Sequence, residues 1–80
     1  MWYVYALQSL KDKYLYIGLS SDPERRLREH NEGGTRSTKS RRPFRLIYME
    51  KCENRTKARE REKYFKSGSG REFLKTFLPA

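Results

Sequence analysis

The sequence contains very few of the side chains that build disulfides and zinc sites. Cys52 is the only cysteine and His30 the only histidine among 80 residues. A disulfide within the chain and a zinc cage of Cys and His ligands are therefore excluded. We expect a reducing, cytoplasmic compartment. No apolar run is long enough to span a membrane, and we expect no targeting peptide, because the N-terminus lacks a basic segment followed by a leucine-rich one. This length predicts one domain over residues 1–80.

Acidic residues are also scarce relative to basic ones. Ten Asp and Glu stand against 19 Lys and Arg, which gives a net charge of +9. This excess favours association with a polyanion, and nucleic acid is the first candidate partner. One alternative is that the charge only keeps a small domain soluble. Another is an interaction domain whose acidic partner is a protein.

Two strand-like segments open the chain. In residues 2–8, apolar or aromatic side chains fall on both faces of a period-two strand, which is typical of a central strand. A polar turn at residues 11–13 precedes a second segment, in which Tyr16 and Gly18 share a face. The two segments predict a β-hairpin that brings Tyr5 and Tyr16 close together.

A helix is predicted to begin at Asp22 and Pro23, because Asp caps free amides and Pro needs no hydrogen-bond acceptor in the first turn. Residues 33–34, two glycines, are expected to end it. Arg26 and His30 are four residues apart and share one face of this helix. Judged alone, each would be an ordinary surface residue of a helix.

Residues 35–43 carry four positive charges and several hydroxyl groups but no apolar side chain for a core. We interpret them as a flexible loop that contacts phosphates. Residues 44–49 then alternate as in a third strand. The expected nucleic-acid-binding residues are Arg25, Arg36, Lys39, Arg41 and Arg42.

A second helix is predicted from an Asn54 cap to about Lys66. Ala58, Glu62 and Phe65 fall on its buried stripe. A carboxylate at such a position is costly unless it is paired or binds a cation, so Glu62 is a candidate site residue. The alternative is a buried ion pair with an arginine.

The last segment predicts a short helix with a capping box at Ser69 and Glu72. Its apolar face would pack on the sheet as part of the core and would consist of Phe73, Leu74, Phe77 and Leu78. The predicted fold class is therefore α/β, with a small three-stranded antiparallel sheet flanked by three helices in the order β-β-α-β-α-α.

The sequence has no P-loop, no dinucleotide-binding glycine motif and no Ser-His-Asp order, which excludes the common nucleotide-binding and acyl-transfer chemistries. The remaining candidates are tyrosine, arginine, histidine and glutamate side chains. Such a set suits phosphodiester hydrolysis: a carboxylate holds a divalent cation, a guanidinium stabilises charge on the phosphate, and a phenol or imidazole handles protons.

These residues follow an order that resembles the GIY-YIG nucleases, which include phage homing endonucleases and the N-terminal domain of the excision-repair excinuclease. The second half of the name motif is intact as Tyr16, Ile17 and Gly18, and residues 3–5 (Tyr-Val-Tyr) stand where Gly-Ile-Tyr would. Residues 22–31 look like the helix of the family that carries its arginine and histidine. The chain is most similar to the small single-domain bacterial type.

The resemblance implies a metal-dependent endonuclease that acts on DNA in repair or recombination, with Mg²⁺ or Mn²⁺ as cofactor. The family's metal-binding glutamate falls on Glu62. Which tyrosine would activate water stays open. A bare nuclease domain would need substrate structure or a protein partner to supply specificity. The catalytic residues implied are Tyr5, Tyr16, Arg26, His30 and Glu62.

Two departures from the family pattern support a different hypothesis. The glycine of the first half-motif is missing, and no asparagine follows Asn54, whereas larger members have a late asparagine near the active site. The alternative function is therefore a catalytically weak or inactive basic module of the same fold that binds nucleic acid.

Overall fold

The structure is a computed structural model that describes residues 1–78. Its elements follow the predicted order β-β-α-β-α-α, and the third strand continues to Cys52 rather than ending at residue 49. Within the described residues, no helix has the length and apolar character needed to cross a membrane. The elements are β1 (Trp2–Ser9), β2 (Leu15–Ser20), α1 (Pro23–Asn31), β3 (Phe44–Cys52), α2 (Arg55–Lys66) and α3 (Gly68–Lys75), with a 3₁₀ helix at Lys39–Arg41.

The three strands form an antiparallel sheet in the order β2-β1-β3, so β1 is the central strand, as its apolar character on both faces predicts. Tyr5 lies opposite Gly18, and Leu7 lies opposite Tyr16. Side chains alternate between the two faces of a strand, and Tyr5 and Tyr16 therefore project from the same face. The predicted proximity of the two tyrosines is confirmed.

Each face of the sheet has its own apolar cluster. On one face Val4, Ala6 and Ile17 pack with residues of α2 and α3. On the other face Tyr5 and Leu7 pack with Phe44 and, from α1, with Leu27. The sheet is therefore a middle layer, with α1 on the face that carries the two tyrosines.

Polar contacts fix both ends of α1. Asp22 accepts a hydrogen bond from the backbone N–H of Arg25 at 3.2 Å, which confirms the predicted cap. Gly33, just past the other end, has a φ of 82°, a conformation that favours glycine. Asn31 donates to the carbonyl oxygen of Phe44 at 3.0 Å and accepts from the N–H of Phe44 at 2.6 Å. This pair of bonds joins the end of α1 to the start of β3.

The segment of residues 35–43 is not the unanchored loop that its composition predicts. Thr38 is buried, and residues 39–41 form the 3₁₀ helix. Ser9 donates a hydrogen bond to the carbonyl oxygen of Arg41, and the Arg41 side chain pairs with Asp12 and lies 4.1 Å from the centre of the Tyr14 ring. Small polar side chains replace apolar anchors here, because hydrogen bonds to the hairpin supply the contacts.

The beginning of α3 is also predicted wrongly. Its cap is Ser67, whose side chain accepts from the N–H of Gly70 at 3.3 Å, and not Ser69. Ser67 also ends α2, because its N–H bonds to the carbonyl oxygen of Tyr64 at 3.0 Å. Only one residue therefore separates the two helices, and α3 begins before the Ser69 motif.

The apolar face predicted for α3 is only partly buried. Leu74 is fully buried, as expected, but Phe73 and Phe77 are exposed. The rings of Phe73 and Phe77 lie against the ring of Tyr48 on β3, with centroid distances of 5.5 and 5.1 Å. Phe77 and Leu78 follow the end of α3 at Lys75, so they are not part of its face, but Leu78 still packs against the core.

Gly70 allows α2 and α3 to approach closely. A Cβ atom built at this position would lie 2.5 Å from the Cα of Phe65, a distance that forces backbone movement. We expect Gly70→Ala to lower the free energy of unfolding by about 1–3 kcal/mol. Gly68→Ala is the matched control, since a Cβ there meets nothing within 4 Å. Urea denaturation measures both, and equal stability of the two variants would contradict the close approach.

Candidate active site

The candidate site is built on the contact between Tyr5 and Gly18. A Cβ atom at position 18 would lie 2.6 Å from the hydroxyl oxygen of Tyr5 and 2.8 Å from its Cζ. The Tyr5 ring therefore occupies the space that the side chain of any amino acid other than glycine would need at position 18. Tyr5 itself is 1% exposed. Glycine at position 18 is required for this packing.

Aromatic contacts extend from Tyr5 to α1. The ring centroids of Tyr5 and Tyr16 are 6.3 Å apart, and those of Tyr16 and His30 are 4.5 Å apart. The His30 ring also lies 5.9 Å from that of Phe44 on β3. Distances of this kind are typical of interacting aromatic side chains. Tyr16 is only partly buried and is therefore the ring of this row that solvent reaches.

His30 is fully buried, at 0% exposure, although it would be a surface residue on the helix pattern alone. Its Nδ1 is hydrogen-bonded to the hydroxyl of Thr38 at 2.8 Å. Its Nε2 is buried and has no hydrogen-bond partner within residues 1–78. Burial lowers the pKa of His30, and the nearby charge of Arg26 lowers it further. His30 is therefore neutral at pH 7.

Arg26 lies beside Tyr5 at the same face of the sheet. Its guanidinium pairs with Glu29, which also accepts a hydrogen bond from Arg25 at 3.3 Å. Burial raises the pKa of Tyr5, while the interaction of its side chain with Arg26 opposes that rise. The interaction with Tyr5 in turn raises the pKa of Arg26. Arg26 is thus a permanent positive charge held next to a tyrosine hydroxyl.

Glu62 is at the edge of this group. Its side chain is 19% exposed, and its Oε2 lies 3.5 Å from Nζ of Lys66. Its negative charge contributes to the raised pKa of Tyr5, after the larger effects of burial, Arg26 and Tyr16. Within the described residues, the predicted alternative of a buried pair with an arginine is wrong. Arg61, its neighbour, pairs with Glu50 at 2.6 Å.

The predicted nucleic-acid-binding residues are mostly at the surface. Arg25, Arg36, Lys39 and Arg42 are exposed. Arg41 is different, because its side chain is partly buried and engaged with Asp12 and Tyr14. The structure thus brings Tyr5, Tyr16, Arg26 and His30 together and places Glu62 within electrostatic reach of Tyr5. The roles of all these residues in catalysis and binding stay predictions.

The ligands available for a divalent cation are few. Among residues 1–78, no group of three or more His, Cys, Asp and Glu side chains is arranged to hold a metal ion. Mg²⁺ commonly binds through one or two carboxylates and completes its shell with water and substrate phosphate oxygens. Glu62 has the oxygen chemistry that Mg²⁺ and Mn²⁺ prefer, and its only ion-pair partner in the described region is an exposed lysine. The residues present therefore fit a cation held by one carboxylate.

Comparison with known proteins identifies the family of this chain. Residues 1–75 match the family described as the GIY-YIG catalytic domain. The chain belongs to the GIY-YIG family. The predicted resemblance is confirmed, and so is the fold that it implies.

Several bacterial relatives of the GIY-YIG chain are UPF0213 proteins. One from Desulfotalea psychrophila is 44% identical over 63 residues, which are 76% of this chain and 56% of that protein. One from Syntrophus aciditrophicus is 42% identical over 90% of this chain and 84% of its own length. A solution NMR structure of a UPF0213 protein from Bacillus halodurans has a TM-score of 0.55 at 34% identity, covering 95% of this chain and 84% of that one.

Two residues that the sequence analysis missed hold the others in place. Thr38 fixes the His30 ring, and Glu29 pairs with Arg26. Glu29 could have been found, because it is three residues from Arg26 and four from Arg25 on one helix. Thr38 could not, because nothing in a basic, hydroxyl-rich loop marks one threonine as the buried one.

The burial of His30 predicts how the stability of the protein depends on pH. Because His30 is the only histidine, its ring resonances are unambiguous in an NMR titration. We expect a pKa below the ordinary value of 6.5. As pH falls through about 6.5, the unfolded chain binds a proton that the folded chain does not, so the free energy of unfolding decreases by up to about 1.4 kcal/mol per pH unit.

Urea denaturation at several pH values measures the effect of His30 on stability. The variant His30→Gln keeps a hydrogen-bonding side chain and removes the titrating group. We expect its free energy of unfolding to change less than that of the wild type between about pH 7 and pH 5. An NMR pKa at or above 6.5, or identical pH dependence of the two proteins, would contradict a buried neutral ring.

Proposed function

We propose that this GIY-YIG domain is an endonuclease that hydrolyses phosphodiester bonds of nucleic acid, with DNA as the expected substrate and Mg²⁺ or Mn²⁺ as cofactor. The observation that carries the proposal is the meeting of two tyrosines and an arginine at Gly18, within reach of the charge of Glu62. Membership of a family described as a catalytic domain supports it. Each side chain can be given a separate role.

Arg26 would bind the scissile phosphate. Its guanidinium is always charged and offers several N–H donors in a fixed plane, which suits a phosphate with two free oxygens. Glu29 holds one side of the guanidinium, and the side chain of Arg26 is 36% exposed, so donors remain for a substrate. Charge developing on the phosphate in the transition state would strengthen this contact.

Tyr16 would meet the attacking water. Of the two tyrosines it is the partly exposed one, whereas Tyr5 is packed under the chain at Gly18. The raised pKa of Tyr5 keeps that hydroxyl protonated, so Tyr5 suits a neutral acceptor that orients an N–H group of Arg26. His30 is sealed from solvent and would position Tyr16 through its ring contact, with Thr38 fixing the imidazole.

Glu62 would hold the cation. A bound Mg²⁺ or Mn²⁺ would supply Lewis acid stabilisation of the negative charge on the phosphate. The Lys66 ammonium lies on the same helix, one turn away, and is 53% exposed, so its side chain can leave Glu62 at small cost. Glu62 is then a lone carboxylate in a chain whose net charge is +9.

A binding module without useful catalysis is the second candidate. The burial of Tyr5 and His30 favours it, because neither side chain is free to reach a substrate as the chain stands. Such a module would keep the basic surface and bind nucleic acid with steep salt dependence, since its affinity would rest on phosphate contacts. The two candidates make different predictions for Glu62.

The first test of the proposal replaces Glu62. We expect Glu62→Gln to reduce metal-dependent cleavage of labelled linear and branched DNA by about a thousandfold or more, because loss of the metal ligand costs several kcal/mol of transition-state stabilisation. Affinity for DNA should change little, since no phosphate-binding cation is removed. Glu60→Gln is the matched control: Glu60 lies on the same helix and is well exposed.

The control variant should cleave like the wild type. Cleavage by Glu62→Gln at the wild-type rate would contradict the site. A wild-type protein that binds DNA but cuts no substrate of the panel with Mg²⁺ or Mn²⁺ would favour the binding module.

The second test separates the two tyrosines. Tyr16→Phe is expected to lower kcat by about a hundredfold or more, the usual contribution of a group that moves a proton. Tyr5→Phe keeps the ring that fills the space over Gly18 and should lower kcat less, by about tenfold. Single-turnover cleavage assays measure both rates. A larger loss for Tyr5→Phe than for Tyr16→Phe would reverse the assignment.

A further inference from the structure

A cleft of about 270 Å³ opens at the outer edge of the sheet. Its walls come from the end of the hairpin and from the corner between α2 and α3. Within the described residues, β2 pairs only with β1, so the other edge of β2 borders this cleft. The residues that line it are Tyr14, Leu15, Tyr16, Ile17, Lys66 and Arg71.

The cleft adjoins the candidate active site at two points. Tyr16 belongs to both, and Lys66 is the ion-pair partner of Glu62. A group bound in the cleft would therefore lie next to a substrate phosphodiester bond placed between Tyr16 and Glu62. No residue of the cleft other than Tyr16 is used by the proposed hydrolysis.

The charge of the cleft favours an anion. Lys66 and Arg71 both line it, and none of residues 1–78 offers Arg71 a carboxylate at ion-pair distance. Nε of Arg71 donates instead to the carbonyl oxygen of Lys66 at 3.4 Å, which holds the guanidinium at the corner of the two helices. The pair between Lys66 and Glu62 is long, at 3.5 Å, and the lysine side chain is 53% exposed. Two cations at one small opening suit a phosphate group.

An aromatic ring stands beside these cations. Tyr14 is 41% exposed although it is a large hydrophobic residue. The guanidinium of Arg41 lies 4.1 Å from the centre of its ring and restrains it. A positively charged groove with an exposed aromatic ring is the usual composition of sites for single-stranded nucleic acid, in which bases stack on the ring.

We propose that this cleft binds one unpaired nucleotide of the substrate strand, next to the bond that is cut. Lys66 and Arg71 bind its phosphate, and its base stacks on Tyr14. The place of this nucleotide beside the cleaved bond rests on the proposed function, but its binding does not. A base within a duplex is stacked on its neighbours and has no free face to offer Tyr14.

Binding is measured without divalent cations, so that cleavage plays no part. The probe is a fluorescent single-stranded oligodeoxynucleotide of about six nucleotides. We expect Arg71→Gln to weaken binding about tenfold and to reduce the salt dependence by about one released counterion. The matched control is Arg59→Gln, which removes the same charge from an exposed position outside the cleft. It should weaken binding only about twofold.

The aromatic contact has its own pair of variants. Tyr14→Leu should weaken binding of the single strand several-fold through loss of stacking. Tyr64→Leu is its control, because Tyr64 is exposed to a similar degree on α2 and does not line the cleft. If each cleft variant binds like its control, the cleft is not a nucleotide site.

NMR mapping decides between single strand and duplex. With the single strand, the largest amide shift changes are expected at residues 14–17 and 66–71. A duplex of the same sequence should perturb the basic residues of the loop at 35–43 more than the cleft. Changes confined to that loop would overturn the cleft as a site, and equal changes in the cleft with duplex would overturn its assignment to an unpaired nucleotide.

The binding tests of the cleft and the cleavage test of Glu62→Gln can fail independently of each other. Normal cleavage with unaltered binding by Arg71→Gln would leave the nuclease and remove the subsite. Absence of cleavage by the wild type, with binding lost in Arg71→Gln, would leave the subsite and remove the nuclease.

Discussion

The close contact between Tyr5 and Gly18 is the constraint on which the candidate site depends. The strand register places these residues opposite each other, and the missing side chain at position 18 leaves room for the tyrosine ring. Tyr16, on the same face, then has a neighbouring ring to pack against and directs its own ring toward His30. A larger residue at position 18 would displace Tyr5 and, with it, the partner of Arg26. The register of the hairpin thus determines where the side chains of the candidate site lie.

The helix that carries Arg26 and His30 is attached to the sheet largely by polar groups. Leu27 is the aliphatic side chain that it contributes to the core, while His30 bonds to Thr38 and Asn31 bonds to the backbone of Phe44. Burying polar side chains costs free energy unless they are hydrogen-bonded, and here most of them are. Within residues 1–78 the unpartnered Nε2 of His30 is an exception, and leaving it unpaired costs free energy.

Local patterns in the sequence predict the elements well, because each element has local signals of its own. The Asn54 cap, the Asp22 cap and the two-sided apolar character of β1 all act over a few residues, and the structure confirms them. The prediction fails at Ser69, because a local capping motif competes there with the packing of Gly70 against α2.

The burial of His30 could not be read from the sequence either. Its partners come from two separate parts of the chain, Tyr16 on the hairpin and Thr38 in the loop, and no periodicity within α1 reports them. The candidate site is therefore predictable only from the family resemblance and from the position of Glu62 on its helix. The contacts that hold Arg26 and His30 emerge only when the distant segments are brought together.

The single residue between α2 and α3 has a geometric consequence. Ser67 ends one helix and caps the next, so the two helices turn a tight corner, and the close packing of Gly70 against α2 fixes their relative position. Glu62 lies just before that corner and Arg71 just after it. A phosphate anchored at Arg71 would stand at a constant separation from Glu62, whatever the base sequence of the strand. The position of cleavage would then be set by a fixed distance from the anchored phosphate and not by recognition of particular bases.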